Sequence, residues 1–289
     1  INFELSENDV IFCNTDYLDN LFFHLNKINE LKNLKLVTNQ TDQLITKKVF
    51  DRKPKCIANW YSVNIGYEDR QLEPIPLGLA SEFSKKNLTS DFFENKINVF
   101  DYKKEKINLY INFASNTNFQ ERGGLYKKFK DKKWVTVKRP DTELVNYQKD
   151  LIKNSFVLCP LGNGVDTHRI WETLYSGSIP VTKKHINFSF AKDLPILFVD
   201  SYDEINFTLL NDYMNNLKIE DLNLNLLNLD FWIKKIFNES SKSYDSIIIN
   251  EKKLTSSFFL YRKKIYDFVK SKIVKKFITF YWKVKNFIN

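Results

Sequence analysis

The sequence predicts an α/β protein in which parallel strands alternate with helices. Short apolar runs recur along roughly the first 200 residues, and polar loops and helical stretches separate them. This alternation is typical of βα units, whose strands pair in parallel. The chain has 289 residues, of which 43% are hydrophobic, so it can form one large or two modest domains with substantial cores.

The first hundred residues hold the elements of one such unit. Runs rich in apolar residues predict strands, and the proline-bearing run before residue 78 is expected to be extended. The predicted strands cover residues 9–13, 34–38, 57–61 and 73–77. A helix is predicted over residues 20–30. The segment 81–105 then turns polar and charged, which places a domain boundary near residue 100.

A second α/β set is predicted after that boundary. Its strands are expected at residues 107–113, 133–137, 155–159, 178–182 and 196–199. Its helices are expected to run from a cap at residues 116–118 to residue 130, over residues 144–153, and from 202 onward. A leucine-rich helical stretch runs to about residue 237, and a long basic, aromatic helix is predicted from residue 252. The expected domains are therefore 1–100, 101–235 and a helical tail at 236–289.

The segment 154–182, NSFVLCPLGNGVDTHRIWETLYSGSIPVT, is the most informative part of the chain. It is predicted to form a strand, a glycine-bearing loop, a short helix and a second strand. Gly162 and Gly164 permit backbone angles that other residues resist, and Asn163 lies between them. The loop follows the carboxyl end of a strand, where open α/β sheets bind ligands. Asn163 is expected either to contact a ligand or only to shape the loop.

The helix of this segment is expected to begin with a phosphate-binding turn. Asp166 or Thr167 can cap it, and its first turn carries His168 and Arg169. Unpaired N–H groups at a helix start favour phosphate, and an arginine adds a bidentate donor. His168 could contact phosphate or base, or be an ordinary residue of the cap region. Asp166 either contacts a ligand or shapes the loop.

Glu172 lies three residues after Arg169, on the same helical face. Its carboxylate could accept hydrogen bonds from ribose hydroxyls. The alternative is a solvated pair of Arg169 and Glu172 on an ordinary helix. Lys183 and Lys184 follow the last strand of the segment, where they could reach a bound ligand or form a solvated pair.

The run CPLGNGVDTHRIWETLYSGSIPV resembles the donor-binding motif of exostosin-like glycosyltransferases, and also the matching stretch of α1,3-fucosyltransferases. In the latter, a Thr-Glu-Lys-hydrophobic-Trp run precedes a Gly-x-x-Pro-Val strand; here His168 replaces the Glu and Arg169 the Lys. NFASNTNFQERGGLYKKF is similar to the segment with a Ser-Asn motif and a phosphate-binding Arg. The resemblance is good over residues 106–200 and weaker over 60–79.

The resemblance implies a GT-B fold, with two Rossmann-like domains facing a cleft. It implies a hexosyl- or deoxyhexosyltransferase in which Arg122 and Arg169 clamp the donor diphosphate. Asn116 and Thr117 of the upstream loop would lie near the donor. Arg122 is expected near a helix start, and the alternative for it is a surface arginine beside Glu121. The implied donor is a nucleotide diphosphate sugar, bound as a substrate with no further cofactor.

An inverting transferase needs a carboxylate that takes the acceptor hydroxyl proton. In a GT-B enzyme it is expected on the N-terminal domain, facing the cleft. Asp16 and Asp42 follow predicted strands there, and Glu82 follows the PLGLASE turn. Each is alternatively a solvated or capping carboxylate. No Asp-x-Asp motif and no metal-ligand cluster occurs in the sequence, so a metal-independent reaction is expected.

The charge of the chain is concentrated at its end. Residues 250–289 contain eleven Lys and Arg against two acidic residues, which accounts for the whole net charge of +9. A neutral body argues against a nucleic-acid enzyme with a basic face. The tail is expected either to lie on an anionic membrane surface or to pack its apolar stripe on the body. The positions of that stripe are Tyr261, Ile265, Val269, Ile273, Phe277, Phe280 and Val284.

Three scattered cysteines, Cys13, Cys56 and Cys159, form neither a disulfide framework nor a zinc motif, which favours a reducing compartment. The expected location is cytoplasmic, with peripheral membrane attachment through the tail as an addition. The expected partners are a nucleotide sugar and a glycan or lipid-linked glycan acceptor. Two other functions stay open: a non-catalytic phosphate-binding module of the same fold, and a different nucleotide enzyme such as an epimerase. The missing GxGxxG fingerprint counts against the epimerase.

Overall fold

The computed structural model of the chain describes residues 2–93, 102–140, 142–237 and 246–250, together with 258, 261, 262, 264, 265, 268 and 269. Eleven strands lie within these residues. They are β1 Asn2–Ser6, β2 Val10–Asn14, β3 Leu34–Asn39, β4 Ile57–Ser62, β5 Leu72–Pro74, β6 Leu109–Ile111, β7 Val135–Val137, β8 Phe156–Leu158, β9 Ile179–Lys183, β10 Leu197–Val199 and β11 Ser246–Asn250.

Eight α-helices connect or flank these strands in the described part of the chain. They are α1 Leu18–Leu25, α2 Lys47–Phe50, α3 Phe119–Arg122, α4 Leu125–Phe129, α5 Leu144–Lys153, α6 His168–Tyr175, α7 Phe207–Asn216 and α8 Leu229–Phe237.

Nine of the strands form two parallel sheets, as the sequence predicts. The N-terminal sheet has the order β2-β3-β4-β5, and the C-terminal sheet has the order β10-β9-β8-β6-β7. The chain therefore starts the second sheet at β6, adds β7 on one side and then builds β8, β9 and β10 on the other. The reversal of direction lies between β6 and β8. In doubly wound sheets, ligands bind at the carboxyl ends of the strands that flank this switch point.

Most predicted strands are confirmed, with ends shifted by a few residues. The buried apolar runs explain them, since all three residues of β6 and of β8 are buried, as strands with covered faces require. The predicted helix at 144–153 is confirmed with the same bounds as α5. The helix of the central segment, α6, is also confirmed, and Gly177 follows it with a positive φ of 67°.

Four helix predictions are wrong in extent. The helical stretch expected to about residue 237 consists of two short 3₁₀ helices, Ile219–Asp221 and Leu224–Leu227, followed by α8. The helix expected at 20–30 is α1, which begins at Leu18 and ends at Leu25. The helix expected at 116–130 is divided into α3 and α4, because Gly123 and Gly124 interrupt it and Gly124 has a φ of 88°. The helix expected from 202 begins only at Phe207, where the Asn206 side chain caps it by accepting from the Leu209 N–H.

The two sheets have separate cores that meet. The smaller core lies on the N-terminal sheet and contains Trp60, which is fully buried. The larger core fills the C-terminal half, and it includes Tyr61, Val63 and Ile75 from the carboxyl end of the N-terminal sheet. Because alternate residues of a strand face opposite sides, Trp60 and Tyr61 belong to different cores. The N-terminal half is thus packed against the C-terminal half through apolar contact at one edge.

An antiparallel pair of β1 and β11 was not predicted from the sequence; Phe3 pairs with Ile249 and Leu5 with Ile247. The expected boundary near residue 100 lies outside the described residues, as does most of the tail. Among the residues described, no helix is long and apolar enough to cross a membrane. The described positions of the tail stripe are exposed, by 65% at Tyr261 and 46% at both Ile265 and Val269.

Candidate functional site

A cleft of about 780 Å³ lies between the two halves of the chain, at the switch point of the C-terminal sheet. Loops of the N-terminal half line one wall, and the loop after β8 with the start of α6 lines the other. The lining residues are Asn39, Gln40, Thr41, Asp42, Asn64, Leu77, Leu79, Ser81, Lys86, Asn87, Asn112, Thr117, Arg122, Pro140, Thr142, Leu144, Tyr147, Gly162, Gly164, Asp166, Thr167, His168, Arg169 and Glu172. The cleft therefore gathers most of the predicted donor-binding residues.

The start of α6 points into this cleft. Thr167 occupies the N-cap position with extended backbone angles, as predicted. The predicted capping hydrogen bond from its side chain is not formed. Within the described structure, the buried Thr167 Oγ1 has no hydrogen-bond partner. An uncapped helix start leaves backbone N–H groups available to an anion.

Arg169 is the cation at this helix start. Its Nη1 donates to the Tyr147 hydroxyl at 2.9 Å, and its guanidinium carbon lies 5.4 Å from the centre of the Tyr147 ring. In the described residues, its Nε and Nη2 make no hydrogen bond. Because a guanidinium offers five N–H donors in a planar fork, this geometry leaves most of them for a ligand in the cleft.

Arg122 lies in the same cleft but not at a helix start, so that expectation is wrong: it is the last residue of the four-residue helix α3. Its side chain is only 7% exposed. It donates to the carbonyls of Leu161 at 2.9 Å, Ala114 at 3.1 Å and Pro160 at 3.2 Å. The alternative of a surface arginine beside Glu121 is also wrong, because Arg122 is buried. Arg122 braces the loop after β8, because two carbonyls of that loop accept from it, and it ties this loop to Ala114 in the loop after β6.

The two guanidinium groups influence each other. Burial lowers the pKa of Arg122, and the nearby charge of Arg169 lowers the pKa further. Two buried or half-buried cations in one cleft repel each other, and a bound anion relieves that repulsion. The electrostatics of the cleft thus favour a ligand that carries negative charge, such as a diphosphate.

Asp166 joins the two halves of the protein. It is 2% exposed, and its carboxylate accepts from the Leu77 N–H and from the Trp171 indole N–H, each at 2.8 Å. Its own N–H donates to Asn64 Oδ1 at 2.9 Å. Burial raises the pKa of Asp166 to about 7. Of the two alternatives for Asp166, the contacts favour the structural one, since the carboxylate is engaged with the N-terminal half.

His168 and Glu172 also bind the N-terminal half. His168 Nδ1 makes a 2.8 Å hydrogen bond with the Gly78 carbonyl. Glu172 is 2% exposed, and its two oxygens accept from the Leu88 N–H and the Tyr147 hydroxyl, each at 2.9 Å. A solvated pair of Arg169 and Glu172 is therefore wrong, because Glu172 is buried. Both oxygens of Glu172 have partners, and a ribose would have to share them.

The remaining donor-side predictions divide between the cleft and the surface. Thr117 lines the cleft, whereas Asn116 and Asn163 are exposed and lie outside its lining. Gly162 and Gly164 line the cleft, and a Cβ on Gly162 would lie 3.1 Å from Arg122 Nη2.

The two lysines that follow the central segment make ion pairs with acidic side chains. Lys183 pairs with Glu121 and Lys184 with Asp200, each at 2.8 Å. Neither lysine belongs to the lining of the cleft.

Of the three candidate bases, only Asp42 lines the cleft, where it is exposed on the N-terminal wall. Asp16 lies in the turn Thr15–Tyr17, and its N–H donates to Asn14 Oδ1. Glu82 is exposed on the loop after Leu79 and does not belong to the lining. The described residues contain no group of three or more His, Cys, Asp or Glu side chains able to hold a metal ion.

Two residues of the cleft carry contacts that sequence reasoning missed. Tyr147 on α5 bonds both Arg169 and Glu172, and its helical position gave no sign of this. Asn64 has a positive φ of 59°, an angle at which Asn is among the few tolerated non-glycine residues. The sequence NIG at residues 64–66 was the available signal for such a turn.

Comparisons with known proteins found one family match and a structural likeness. Residues 117–219 match the model of the RXYLT1 C-terminal domain, a segment that spans α3 to the end of α7 and holds the Arg122 and Arg169 sites. No curated protein matches the chain. Among solved structures, a crystal structure of an α1,3-fucosyltransferase is similar, with 13% identity, a TM-score of 0.36, and coverage of 80% of this chain and 79% of that one. With an RXYLT1 C-terminal domain match over residues 117–219, which hold most of the second parallel sheet, the chain is a glycosyltransferase with a Rossmann-like α/β fold.

Proposed function

We propose that this glycosyltransferase takes its sugar from a nucleotide diphosphate sugar, with the diphosphate at the start of α6. The observation that carries the proposal is Arg169: it lines the cleft, and its Nε and Nη2 have no partner in the described structure. Charge-assisted bonds from a guanidinium stabilise a diphosphate leaving group as negative charge develops on it. Arg122 contributes a second positive charge and holds the glycine loop in place.

The acceptor is proposed to bind on the N-terminal wall, opposite the arginines. Asp42 lies there as an exposed residue, and the polar residues Asn39, Gln40 and Thr41 line the same wall. A carboxylate in this place can take the proton from an acceptor hydroxyl as the hydroxyl attacks the sugar carbon. With attack from the face opposite the leaving diphosphate, the reaction inverts the anomeric centre. We therefore place the base at Asp42 rather than at Asp16 or Glu82.

Transfer is proposed to be independent of a divalent metal and of any cofactor. Two guanidinium groups and a helix start supply the positive charge that a metal would otherwise supply to the diphosphate. The sequence contains no Asp-x-Asp motif. The two arginines, the helix start and the missing motif together support a metal-independent transfer.

The acceptor is proposed to be a glycan or a lipid-linked glycan at a cytoplasmic membrane surface. The described tail positions Phe258, Tyr261, Ile265, Phe268 and Val269 are 46–65% exposed, and they share the helical tail with Arg262 and Lys264. Exposed apolar groups beside cations suit the interface of an anionic membrane. The exposure supports the membrane alternative over packing on the body at these positions.

A panel of nucleotide sugars tests the donor proposal directly. A ligand that binds only the folded state raises the melting temperature, by an amount that grows with the logarithm of its concentration divided by Kd. The panel should vary the base and the sugar separately, and each positive compound should be compared with its free nucleoside diphosphate. We expect the nucleotide sugars of one nucleobase to raise the melting temperature clearly. The matching nucleoside diphosphate, without the sugar, should give most of the same increase. Absence of stabilisation with every compound would contradict the proposal.

A further inference from the structure

Tyr147 lies where α5 passes beneath the start of α6. Its side chain is 6% exposed, and its ring lies under the guanidinium of Arg169 with 5.4 Å between the guanidinium carbon and the ring centre. A cation over an aromatic face is attracted by the ring, and the attraction strengthens when the pair is desolvated. Ring and guanidinium thus form one packed unit at the floor of the cleft.

The hydroxyl of Tyr147 makes two hydrogen bonds of opposite direction. It donates to Glu172 Oε2 at 2.9 Å, and it accepts from Arg169 Nη1 at 2.9 Å. A phenol has one proton, so donation to Glu172 leaves a lone pair directed at the arginine. Donation to a carboxylate also polarises the phenol oxygen and strengthens its bond with Arg169. Burial raises the pKa of Tyr147 well above its ordinary value, which keeps this proton on the phenol.

Glu172 is in turn held by the N-terminal half. Its Oε1 accepts from the Leu88 N–H at 2.9 Å, so both carboxylate oxygens have protein partners. A continuous series of hydrogen bonds therefore runs from Leu88 through Glu172 and Tyr147 to Arg169. Each member except Arg169 is buried, and the series ends at the cleft. Such a fixed support sets the direction of the last group.

We propose that Tyr147 is a positioning residue that orients Arg169 toward the diphosphate of the ligand, through a hydrogen bond that Glu172 directs. The inference rests on the proposed function for the role of the diphosphate, whereas the ordering of Arg169 by Tyr147 does not depend on it. Fixing one Nη leaves Nε and the other Nη on the open side of the fork. Those two atoms are spaced for a bidentate contact with phosphate oxygens.

The variant Tyr147→Phe tests this with little change in packing, because it removes only the hydroxyl. Tyr102→Phe is the matched control: Tyr102 is fully buried in the same core, its hydroxyl donates to the Leu174 carbonyl at 2.9 Å, and it does not line the cleft. Two readouts are needed. The first is the order of the Arg169 side chain by NMR on arginine-labelled protein, which is practical because the chain has six arginines. The second is affinity for a nucleoside, its monophosphate and its diphosphate.

We expect Tyr147→Phe to loosen the Arg169 side-chain signal and to weaken diphosphate binding about tenfold, as for loss of a bond that involves a charged group, with nucleoside binding unchanged. Tyr102→Phe should alter neither readout. In an Arg169→Ala background, Tyr147→Phe should have almost no further effect on diphosphate affinity, because the two residues act as one unit.

An unchanged Arg169 signal in Tyr147→Phe would overturn the inference. Additive losses of diphosphate affinity in the double variant Arg169→Ala, Tyr147→Phe would also overturn it. An equal loss of affinity for nucleoside and diphosphate in Tyr147→Phe would do the same, since both results indicate a general packing role. If Tyr147→Phe does not fold, Glu172→Ala replaces it, because this variant removes the acceptor of the Tyr147 hydroxyl. A less ordered Arg169 side chain in Glu172→Ala supports the inference, and an unchanged Arg169 signal overturns it. An ordered Arg169 in a parent protein that binds no nucleoside diphosphate would reject the proposed function and leave the positioning role in place.

Discussion

Asn64 and Gly164 meet across the cleft so closely that a side chain at position 164 has no room. A Cβ there would lie 2.9 Å from Asn64 Nδ2 and 3.0 Å from Asn64 Oδ1. The Asn64 side chain is fixed, because it accepts from the Asp166 N–H at 2.9 Å and donates to the Thr41 carbonyl at 3.2 Å. One buried amide thus joins the loop of the proposed donor side to the loop that carries Asp42.

Gly164→Ala is expected to break this junction. The new methyl group displaces the Asn64 amide, so that the hydrogen bonds to Asp166 and Thr41 are lost, at a cost of about 1–3 kcal/mol of stability. Thermal unfolding should show a lower melting temperature. In an Asn64→Gly background, which keeps the positive φ and removes the side chain, Gly164→Ala should cost far less. Equal losses in both backgrounds would contradict the contact.

The raised pKa of Asp166 predicts that the stability of the folded protein depends on pH. Its pKa is raised from an unfolded value of 3.8 to about 7, so the folded state binds its proton more tightly than the unfolded state. Its contribution is therefore fully present below pH 3.8 and is lost as the pH rises to about 7. Melting temperatures between pH 5 and 8 should fall more steeply for the parent protein than for Asp166→Asn. Parallel profiles would show that Asp166 is ionised in the folded protein throughout this range.

Asp42→Asn should abolish most sugar transfer and leave donor binding intact. Removing a general base typically costs a factor of roughly 10²–10⁴ in rate. Asp16→Asn and Glu82→Gln are the controls, because neither residue lines the cleft. Transfer rates and donor affinities of the three variants decide the assignment. A normal rate in Asp42→Asn, or a comparable loss in either control, would remove Asp42 as the base.

The tail predicts binding to anionic membranes. Each Lys or Arg near such a surface contributes about 1 kcal/mol, and residues 250–289 carry eleven of them. The full chain should float with anionic vesicles at low salt, while a chain that ends at Asn250 and retains β11 should not. Neutral vesicles and high salt should release the full chain. Failure of the full chain to float would leave only a packing role for the tail.

Much of the fold follows from local patterns. The run at β8 is apolar and bounded by loop residues, and Gly177 follows α6 where a left-handed residue is needed. Local patterns were misleading where a single residue determines whether a helix continues. Gly124, at a φ of 88°, separates α3 from α4, although the flanking residues favour a single helix. The pairing of β1 with β11 joins residues 240 to 248 positions apart, and no local signal specifies such a partner.

The candidate site shows the same division. The sequence is sufficient to place Arg169 and the glycine loop together, because one βαβ unit contains both. It is not sufficient to show that Asp166, His168 and Glu172 bind the N-terminal half, since those partners are backbone groups at Leu77, Gly78 and Leu88. Backbone partners leave no trace in residue type.

Arg169→Ala tests the central claim most directly, with Arg70→Ala as the control, since Arg70 is an exposed arginine outside the cleft. Donor affinity and transfer should be measured for both variants in excess EDTA. Loss of charge-assisted bonds worth about 1.5–3 kcal/mol should weaken binding of the nucleotide diphosphate sugar roughly 10- to 150-fold in Arg169→Ala only. The parent should keep full activity in EDTA. Donor binding in Arg169→Ala as tight as in the parent, or parent activity that EDTA abolishes and manganese restores, would contradict the account.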